Sequence, residues 1–402
     1  MTLFAAVELA PRDPILGLNE QFNADARSNK VNLGVGVYFD DAGKLPLLAC
    51  VQAAEQQLND AHKPRGYLPI DGIAAYDKAV QRLVFGADAP VLQAGRVATV
   101  QTLGGTGGLK VGADFLKKLN PAASVLISDP SWENHRALFI NAGFPVESYA
   151  YYDADKRGVR FEAMLADLNK AAAGTIVVLH ACCHNPSGYD ITPAQWDQVI
   201  TACQARQLVP FLDLAYQGFG DGIAEDGAVV QQFINAGLDF FVATSFSKSF
   251  SLYGERVGAL SVVCSSKDDC TRVLSQLKVA IRTNYSNPPT HGAQVVTMVL
   301  DTPALRAQWE HELAGMRVRI KQMRSLLADK LVAKLGERGV KQDFSFITRQ
   351  RGMFSYSGLS KPQMERLRDE FGVYGVDSGR ICVAALNTRN IDQVVAAIAR
   401  VV

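Results

Sequence analysis

Phe240-Phe-Val-Ala-Thr-Ser-Phe-Ser-Lys-Ser-Phe250 joins an apolar, β-branched run to a loop that carries a single lysine. The run 240–244 predicts the end of a buried strand. Lys248 follows it among serines and two phenylalanines, and Arg256 lies eight residues further on. An ordinary lysine has a pKa near ~10.4, but desolvation and a nearby positive charge favour the neutral amine, which attacks carbonyl groups. Lys248 is therefore a candidate Schiff-base lysine, and a solvated loop lysine is the alternative that this stretch alone leaves open.

The overall composition is typical of globular proteins. Of 402 residues, 48% are hydrophobic and 20% are charged, which predicts two or three domains, or one large domain with a smaller one attached. The 41 basic and 40 acidic residues give a net charge of +1, so nucleic acid is a poor candidate partner. The N-terminus lacks a basic n-region, and no apolar run approaches the ~18 residues that span a bilayer. We expect a cytoplasmic protein without a membrane partner.

The seven cysteines indicate thiols rather than a disulfide framework. Cys182 and Cys183 precede His184, but a second pair with metal-ligand spacing is absent from the sequence. We expect reduced, mostly buried cysteines and no metal site.

Short apolar strands alternate with helices through the middle of the chain. This pattern predicts an α/β fold whose mainly parallel sheet is covered by helices on both faces. A long helical stretch at 303–336 then leads to a smaller C-terminal α/β unit. The predicted strands are 31–38, 124–128, 175–180, 208–212, 240–244, 260–263, 344–347, 353–356 and 380–384, and the predicted helices include 13–22, 47–61, 71–85, 109–119, 132–142, 161–172, 193–206, 227–236, 268–281, 361–371 and 390–401.

Polar and aromatic side chains follow the carboxyl ends of these strands: Trp132, Asn185, Asp213, Tyr216 and Lys248. In open α/β sheets that edge binds ligands. A lysine able to form an imine, beside serines and an arginine able to hold a phosphate, indicates pyridoxal 5′-phosphate (PLP) as cofactor.

Each of these residues has a role that PLP chemistry requires. Asp213 would keep the pyridine nitrogen protonated, Tyr216 and Asn185 would hydrogen-bond the ring oxygen, and Trp132 would stack on the ring. Donors to the phosphate would be Gly105, Thr106, Ser245, Ser247 and Arg256, the first two from a glycine-rich helix start. Taken singly, Asp213 could be a helix cap, Trp132 a core residue, and Asn185-Pro-Ser-Gly188 an ordinary turn.

Three motifs resemble one enzyme family: His184-Asn-Pro-Ser-Gly188, Asp213-Leu-Ala-Tyr216 and Ser245-Phe-Ser-Lys-Ser-Phe…Glu255-Arg-Val-Gly258. Together they are similar to the class I aminotransferases of PLP fold type I, in particular the bacterial aspartate and aromatic-amino-acid enzymes. The resemblance implies a large domain (47–315) with a mainly parallel seven-stranded sheet flanked by helices. It also implies an N-terminal arm (1–12) and a smaller α/β domain built from both termini (13–46 and 316–402).

The resemblance also assigns residues to the reaction. Lys248 would bind PLP covalently and act as general base, and Arg380 would pair with the substrate α-carboxylate, assisted by Gly36, Asn185 and Trp132. Arg282, for a distal carboxylate, and Tyr67, for the cofactor, would reach into the site of a partner subunit, which implies a homodimer. The substrates would be amino acids and 2-oxo acids.

Three positions bear on substrate specificity within that family. Phe39, Leu45 and Cys382 stand where the aspartate branch often has lysine, threonine and asparagine, and each makes its neighbourhood less polar. We therefore expect an aromatic-amino-acid transaminase that also accepts aspartate and glutamate. Thr106 and Asn287 remain aspartate-like, so an aspartate aminotransferase of mainly dicarboxylic specificity is the alternative.

Other classes of protein remain as rivals. A PLP-dependent lyase or decarboxylase would share the cofactor but has no need of both arginine contexts. A nicotinamide-dependent dehydrogenase would need a glycine fingerprint in the first βα turn and an acidic residue about 20 positions on, and neither is evident. A non-catalytic binding or structural protein is the third rival.

Overall fold

The structure, a computed structural model, describes residues 2–402. The α-helices are α1 (Leu16–Ala24), α2 (Ala49–Asp60), α3 (Ala74–Phe85), α4 (Pro90–Gln93), α5 (Gly104–Leu119), α6 (Glu133–Asn141), α7 (Phe161–Lys170), α8 (Pro193–Arg206), α9 (Ile223–Asn235), α10 (Lys267–Asn284), α11 (His291–Asp301), α12 (Pro303–Glu337), α13 (Lys361–Phe371) and α14 (Ile391–Val401). The strands are β1 (Val31–Asn32), β2 (Val97–Leu103), β3 (Val125–Asp129), β4 (Val146–Ala150), β5 (Tyr152–Asp153), β6 (Gly158–Val159), β7 (Ile176–His180), β8 (Val209–Leu214), β9 (Phe240–Ser245), β10 (Val257–Val263), β11 (Phe354–Tyr356), β12 (Val373–Tyr374) and β13 (Arg380–Cys382).

Seven strands form the main sheet in the order β2-β10-β9-β8-β7-β3-β4. β10 pairs antiparallel with both β2 and β9, whereas the other pairs are parallel. β10 is reversed because a loop alone, at 246–256, connects it to its neighbour β9, and a parallel neighbour would need a longer crossover. The predicted mainly parallel, seven-stranded sheet is confirmed.

Glycines allow helix α5 to lie close against this sheet. A Cβ on Gly112 would lie 2.6 Å from Cζ of Phe211, and one on Gly108 would lie 3.0 Å from the carbonyl oxygen of Ala259. The aromatic ring of Phe211, which is fully buried, therefore packs directly under the helix. This close packing positions the start of α5 beside β10, where the candidate phosphate site lies.

The chain divides into two compact units. The larger comprises residues 45–321 and 349–352, and the smaller comprises 2–44, 322–348 and 353–402. The smaller unit contains two short strand pairs, β1 with β12 in parallel and β11 with β13 antiparallel. The boundaries expected from the sequence, at 46 and 316, lie within a few residues of the unit limits, and the second falls inside the continuous helix α12.

Several predicted elements differ from the observed ones. The strand predicted at 31–38 forms ladder pairs only at Val31 and Asn32. The strand predicted at 344–347 is a 3₁₀ helix, Ser345–Arg349, because the carboxylate of Asp343 accepts a hydrogen bond from the Ser345 N–H (2.7 Å) and starts a turn. The elements without a counterpart among the predicted ones are β2, β4, β5, β6, β12, α4 and α11. Within residues 2–402, no helix combines the length and apolar character needed to cross a bilayer.

Candidate active site

Lys248 lies in the loop that reverses the chain between β9 and β10, at the carboxyl end of the parallel strands. Its Nζ atom is 4.8 Å from the centre of the Tyr216 ring. Burial among protein atoms is the main reason that the pKa of Lys248 falls to about 8, and the positive charge of Arg256 lowers it further, whereas Asp213 opposes both. A substantial fraction of these amines is therefore neutral near physiological pH, as a nucleophile or base must be.

Asp213 is held as a buried carboxylate at the end of β8. Its Oδ2 atom is 3.0 Å from Nε2 of His135, and the other ring nitrogen of His135 is 2.9 Å from the Ser131 hydroxyl. Burial alone would raise the pKa of Asp213, but the hydrogen bond from His135 and the neighbouring positive charge bring it below the ordinary value. A permanent negative charge thus lies in the protein interior, where it can stabilise a protonated ring nitrogen.

His135 was not among the residues predicted for the site. It lies in the first turn of α6, and its buried ring contacts the edge of Trp132 (centroids 5.2 Å apart, 83° between planes). No sequence motif marks it, because only the fold brings α6 over the end of β8. A histidine three positions after the predicted Trp132 is the one hint that the sequence offers.

A second histidine, His180, extends this cluster. Asp213 and His180 face each other across the β7–β8 ladder, and neither ring nitrogen of His180 has a hydrogen-bond partner among residues 2–402. Burial lowers the pKa of His180 to about 3, so its ring is neutral. Ligand atoms of His135, His180 and Asp213 lie within 4.8 Å of one another, a spacing that could hold a metal, although the sequence predicts no metal site.

The predicted phosphate donors meet where α5 begins beside β9 and β10. The Gly104 N–H donates to the Arg256 carbonyl (2.8 Å), and a guanidinium nitrogen of Arg256 donates to the Ser247 hydroxyl (3.3 Å). A Cβ on Gly105 would come within 3.0 Å of the Ser245 Cβ, so the helix start and the serine are in direct proximity. Free N–H groups and the dipole at the first turn of a helix favour an anion here. Thr106, half-buried, occupies the same turn.

The turn that carries Asn185 is rigidly held. The N–H groups of Cys183 and His184 donate to the carboxylate of Asp190 (2.8 and 2.9 Å), and the ring of His184 stacks on Tyr151 at 3.9 Å. Asn185 itself is buried. The predicted turn is therefore present, and it has a dedicated carboxylate that sequence reasoning did not identify.

Two of the predicted substrate residues lie in the smaller unit. Arg380 is 1% exposed, donates through Nη2 to the Gly34 carbonyl (2.7 Å), and places its guanidinium carbon 4.4 Å from the centre of the Phe354 ring. A Cβ on Gly36 would lie 2.7 Å from Cζ of the same ring. Arg380 and Gly36 therefore both contact the Phe354 ring, and a residue larger than glycine at position 36 would displace that ring.

Tyr67 and Arg282 are not drawn into the site of their own chain. Tyr67 is 97% exposed, and the exposed guanidinium of Arg282, in the last turn of α10, hydrogen-bonds to the nearby Ser286 hydroxyl. Both side chains are therefore accessible at the surface of the chain.

These residues together suit PLP. The lysine amine has a lowered pKa, a buried carboxylate is held ionised, and a helix start with an adjacent arginine can bind the phosphate. All of these groups lie in the larger unit, and their chemistry matches the aldehyde, ring nitrogen and phosphate of PLP.

Comparison with known proteins agrees with this geometry. Residues 28–398 match the family described as "Aminotransferase class I and II". The chain is 62% identical to an aspartate aminotransferase of Pseudomonas aeruginosa over the full length of both, and 52% identical to an aromatic-amino-acid aminotransferase of Escherichia coli over 99% of this chain and 100% of that protein. A crystal structure of the aromatic-amino-acid aminotransferase of Burkholderia pseudomallei, covalently bound to pyridoxal phosphate, is 64% identical with a TM-score of 0.96 and full coverage of both chains. The chain belongs to the class I and II aminotransferases, and the resemblance inferred from its motifs is confirmed.

Proposed function

We propose that this aminotransferase uses PLP to transfer the amino group of aromatic amino acids, and also of aspartate and glutamate, to 2-oxoglutarate. The observation that carries the proposal is the pairing of Lys248, whose pKa is lowered to about 8, with Asp213, a buried carboxylate held ionised by His135. Relatives named for both substrate classes support the range of donors. The product of the first half-reaction is a 2-oxo acid, and the second half-reaction yields glutamate.

PLP, when bound, supplies an electron sink for the pair left on the substrate Cα after deprotonation. Asp213 keeps that sink effective, because its negative charge favours the protonated pyridine nitrogen. Lys248 would hold the cofactor through its amine, and its neutral Nζ would take the proton from the substrate Cα and pass it to the C4′ carbon of the cofactor. Gly105, Ser245 and Arg256 would hold the phosphate group of the cofactor.

Arg380 is proposed to pair with the substrate α-carboxylate. A guanidinium can grip a carboxylate with two parallel hydrogen bonds, which orients the Cα–H bond for removal. Its Nη2 atom already donates to the Gly34 carbonyl, and the Phe354 ring supports its planar face, so the guanidinium is held in one orientation before substrate arrives. Within the smaller unit the main chain at Gly36 would assist Arg380, and within the larger unit Asn185 would bind the substrate carboxylate and Trp132 would stack on the cofactor ring.

A homodimer is part of the proposal. Tyr67, at 97% exposure, and Arg282 would complete the site of the partner subunit, Tyr67 toward the cofactor and Arg282 toward a distal carboxylate. The light-scattering mass of the holoenzyme, and complementation between Arg282→Ala and Lys248→Ala chains mixed before assembly, test this: regained activity supports shared sites. We also place the enzyme in the cytoplasm, which its seven buried, reduced cysteines support.

Aromatic substrates are favoured by Phe39 and Cys382 in the smaller unit and by Leu45 in the larger. Phe39 is half-buried, Cys382 is buried, and Leu45 keeps 46% of its surface exposed, so apolar surface replaces charge and hydrogen-bonding capacity. Desolvating a phenyl or phenol side chain against such surface is favourable, whereas a carboxylate gains nothing from it.

The ratio of kcat/KM for tyrosine and aspartate tests the substrate assignment. We expect the two values to lie within about a hundredfold of each other. An aspartate preference above about a thousandfold, about 4 kcal/mol of transition-state discrimination, would overturn the aromatic assignment and establish the alternative, a mainly dicarboxylic aspartate aminotransferase. The 62% identity to an aspartate aminotransferase is the observation that favours this alternative.

A further inference from the structure

A chain of four aromatic rings supports the loop that carries Lys248. Phe246 and Phe250 flank the lysine two positions to either side, and their rings meet edge to face at 5.4 Å. Phe246 also contacts the ring of Tyr76 (5.9 Å, 73°), and Phe250 stacks on the indole of Trp309 (4.7 Å, 22°). The turn that carries Lys248 therefore packs against aromatic rings.

Both ends of this chain of rings are tied to the main chain by hydrogen bonds. The Tyr76 hydroxyl donates to the Gly258 carbonyl in β10 (2.8 Å), and the Trp309 indole N–H donates to the Ser249 carbonyl (2.8 Å). Ser249 directly follows Lys248, so the second bond acts on the Ser249–Phe250 peptide unit, one residue beyond the lysine. Trp309 lies on α12 and is 1% exposed, which keeps water away from this bond.

The indole is suited to this position because it combines a large apolar ring with a single donor. The Ser249 carbonyl lies in a turn and faces the protein interior, where an acceptor needs a partner. The stacking holds the turn at a fixed distance from α12, and the N–H holds it in a fixed orientation. Phenylalanine at position 309 would keep the stacking on Phe250 and lose the hydrogen bond to the Ser249 carbonyl.

We propose that Trp309 is a positioning residue for the catalytic lysine: its N–H bond to Ser249 sets the place of the Lys248 main chain and hence of the amine above Tyr216. The proposal rests on the proposed function, since it gives Lys248 its role as cofactor anchor and base. A small displacement of the Lys248 amine would lower the reaction rate strongly, because proton transfer and imine exchange both need the reacting atoms in contact.

The test compares Trp309→Phe with Trp196→Phe. Trp196 is a matched control, because it is also buried (7% exposed) and also packs against a phenylalanine, Phe233 (6.1 Å, 70°), but it lies on α8, and within residues 2–402 its ring pairs with Phe233 rather than with a ring of the lysine loop. Each variant is reconstituted with PLP. Four properties are then measured for each variant. They are the pH midpoint of the visible absorbance of the lysine-bound cofactor, the rate of PLP dissociation, the melting temperature, and kcat and KM for aspartate.

We expect Trp309→Phe to move the absorbance midpoint by about half a pH unit or more, to speed PLP dissociation about tenfold, and to lower kcat about tenfold with little change in KM. Trp196→Phe is expected to lower the melting temperature similarly and to leave the midpoint and the dissociation rate unchanged. Trp309→His, which restores a ring N–H, is expected to recover part of the shift. Equal midpoints and dissociation rates for Trp309→Phe and Trp196→Phe would overturn the proposal.

Phe250→Leu separates the stacking from the hydrogen bond and serves if Trp309→Phe does not fold. It keeps the indole donor, so we expect the absorbance midpoint of the wild type; a shift as large as that expected of Trp309→Phe would mean that packing alone positions the lysine. Failure of the proposed function is distinguishable, since borohydride treatment of the wild-type holoenzyme would then leave no cofactor attached to Lys248 whatever the variants do.

Discussion

Gly258→Ala should damage the fold and the cofactor site together. A Cβ at this position in β10 would lie 2.3 Å from the carbonyl carbon of Gly104 and 2.5 Å from its oxygen. Non-bonded carbon atoms are most stable at about 3.5–4.0 Å, so the overlap exceeds 1 Å and is with main chain rather than a flexible side chain. Gly258 also pairs with Thr102 on one side and Ser245 on the other, so the strand cannot shift away.

Overpacking of this kind costs about 3 kcal/mol or more of stability. The strain falls on Gly104 and Gly105, which begin α5, so we also expect weaker binding of the cofactor phosphate. The measurements are the melting temperature without PLP and the PLP concentration at half-saturation. Gly254→Ala is the matched control, because its Cβ would meet no atom within 4 Å, and it should change stability by less than about 0.5 kcal/mol. If Gly258→Ala melts and binds PLP as Gly254→Ala does, the close approach of β10 to α5 described here is incorrect.

Three further predictions concern charge at the lysine, all in PLP-free protein. Asp213→Asn should lower the pH at which the Lys248 amine titrates, because the carboxylate favours the ammonium form, and Arg256→Gln should raise it; competitive acylation against pH measures both, and shifts of the same sign would refute the electrostatic account. Lys248→Met should stabilise the protein more at pH 7 than at pH 10. The folded pKa of about 8 lies below the unfolded value of about 10.4, so the penalty for holding the ammonium is fully present below pH 8 and is relieved progressively as the pH rises from the folded to the unfolded value. Equal stabilisation at both pH values, measured by denaturant midpoint, would contradict it.

Local sequence patterns account for much of this structure. The apolar runs before Asp213 and Lys248 predict two buried strands, and the alternation of strands and helices predicts the parallel sheet. Because parallel strands end at one edge, the polar residues after them had to converge. β2 shows the limit of this reasoning. Its sequence, Val97–Leu103, is rich in β-branched residues, but its place in the sheet follows only from its pairing with the reversed strand β10.

The parts of the site that could not be predicted depend on contacts distant in sequence. His135 is 78 residues from the Asp213 carboxylate that it binds, and Trp309 is 60 residues from the Ser249 carbonyl. Neither lies in a motif, and both are buried aromatic side chains of a kind that usually serves only packing. Likewise, residues 344–347 alternate as a strand would, and the side chain of Asp343 turns them into a 3₁₀ helix.

The most direct test of the account is to identify the residue that binds the cofactor. The holoenzyme is reduced with borohydride, digested and mapped by mass spectrometry, in parallel with turnover measurements on Lys248→Ala. We predict that the pyridoxyl group is found on Lys248 and that Lys248→Ala loses nearly all activity with every amino donor. A pyridoxyl group on another lysine, or a Lys248→Ala enzyme that turns over at the wild-type rate, would contradict the account.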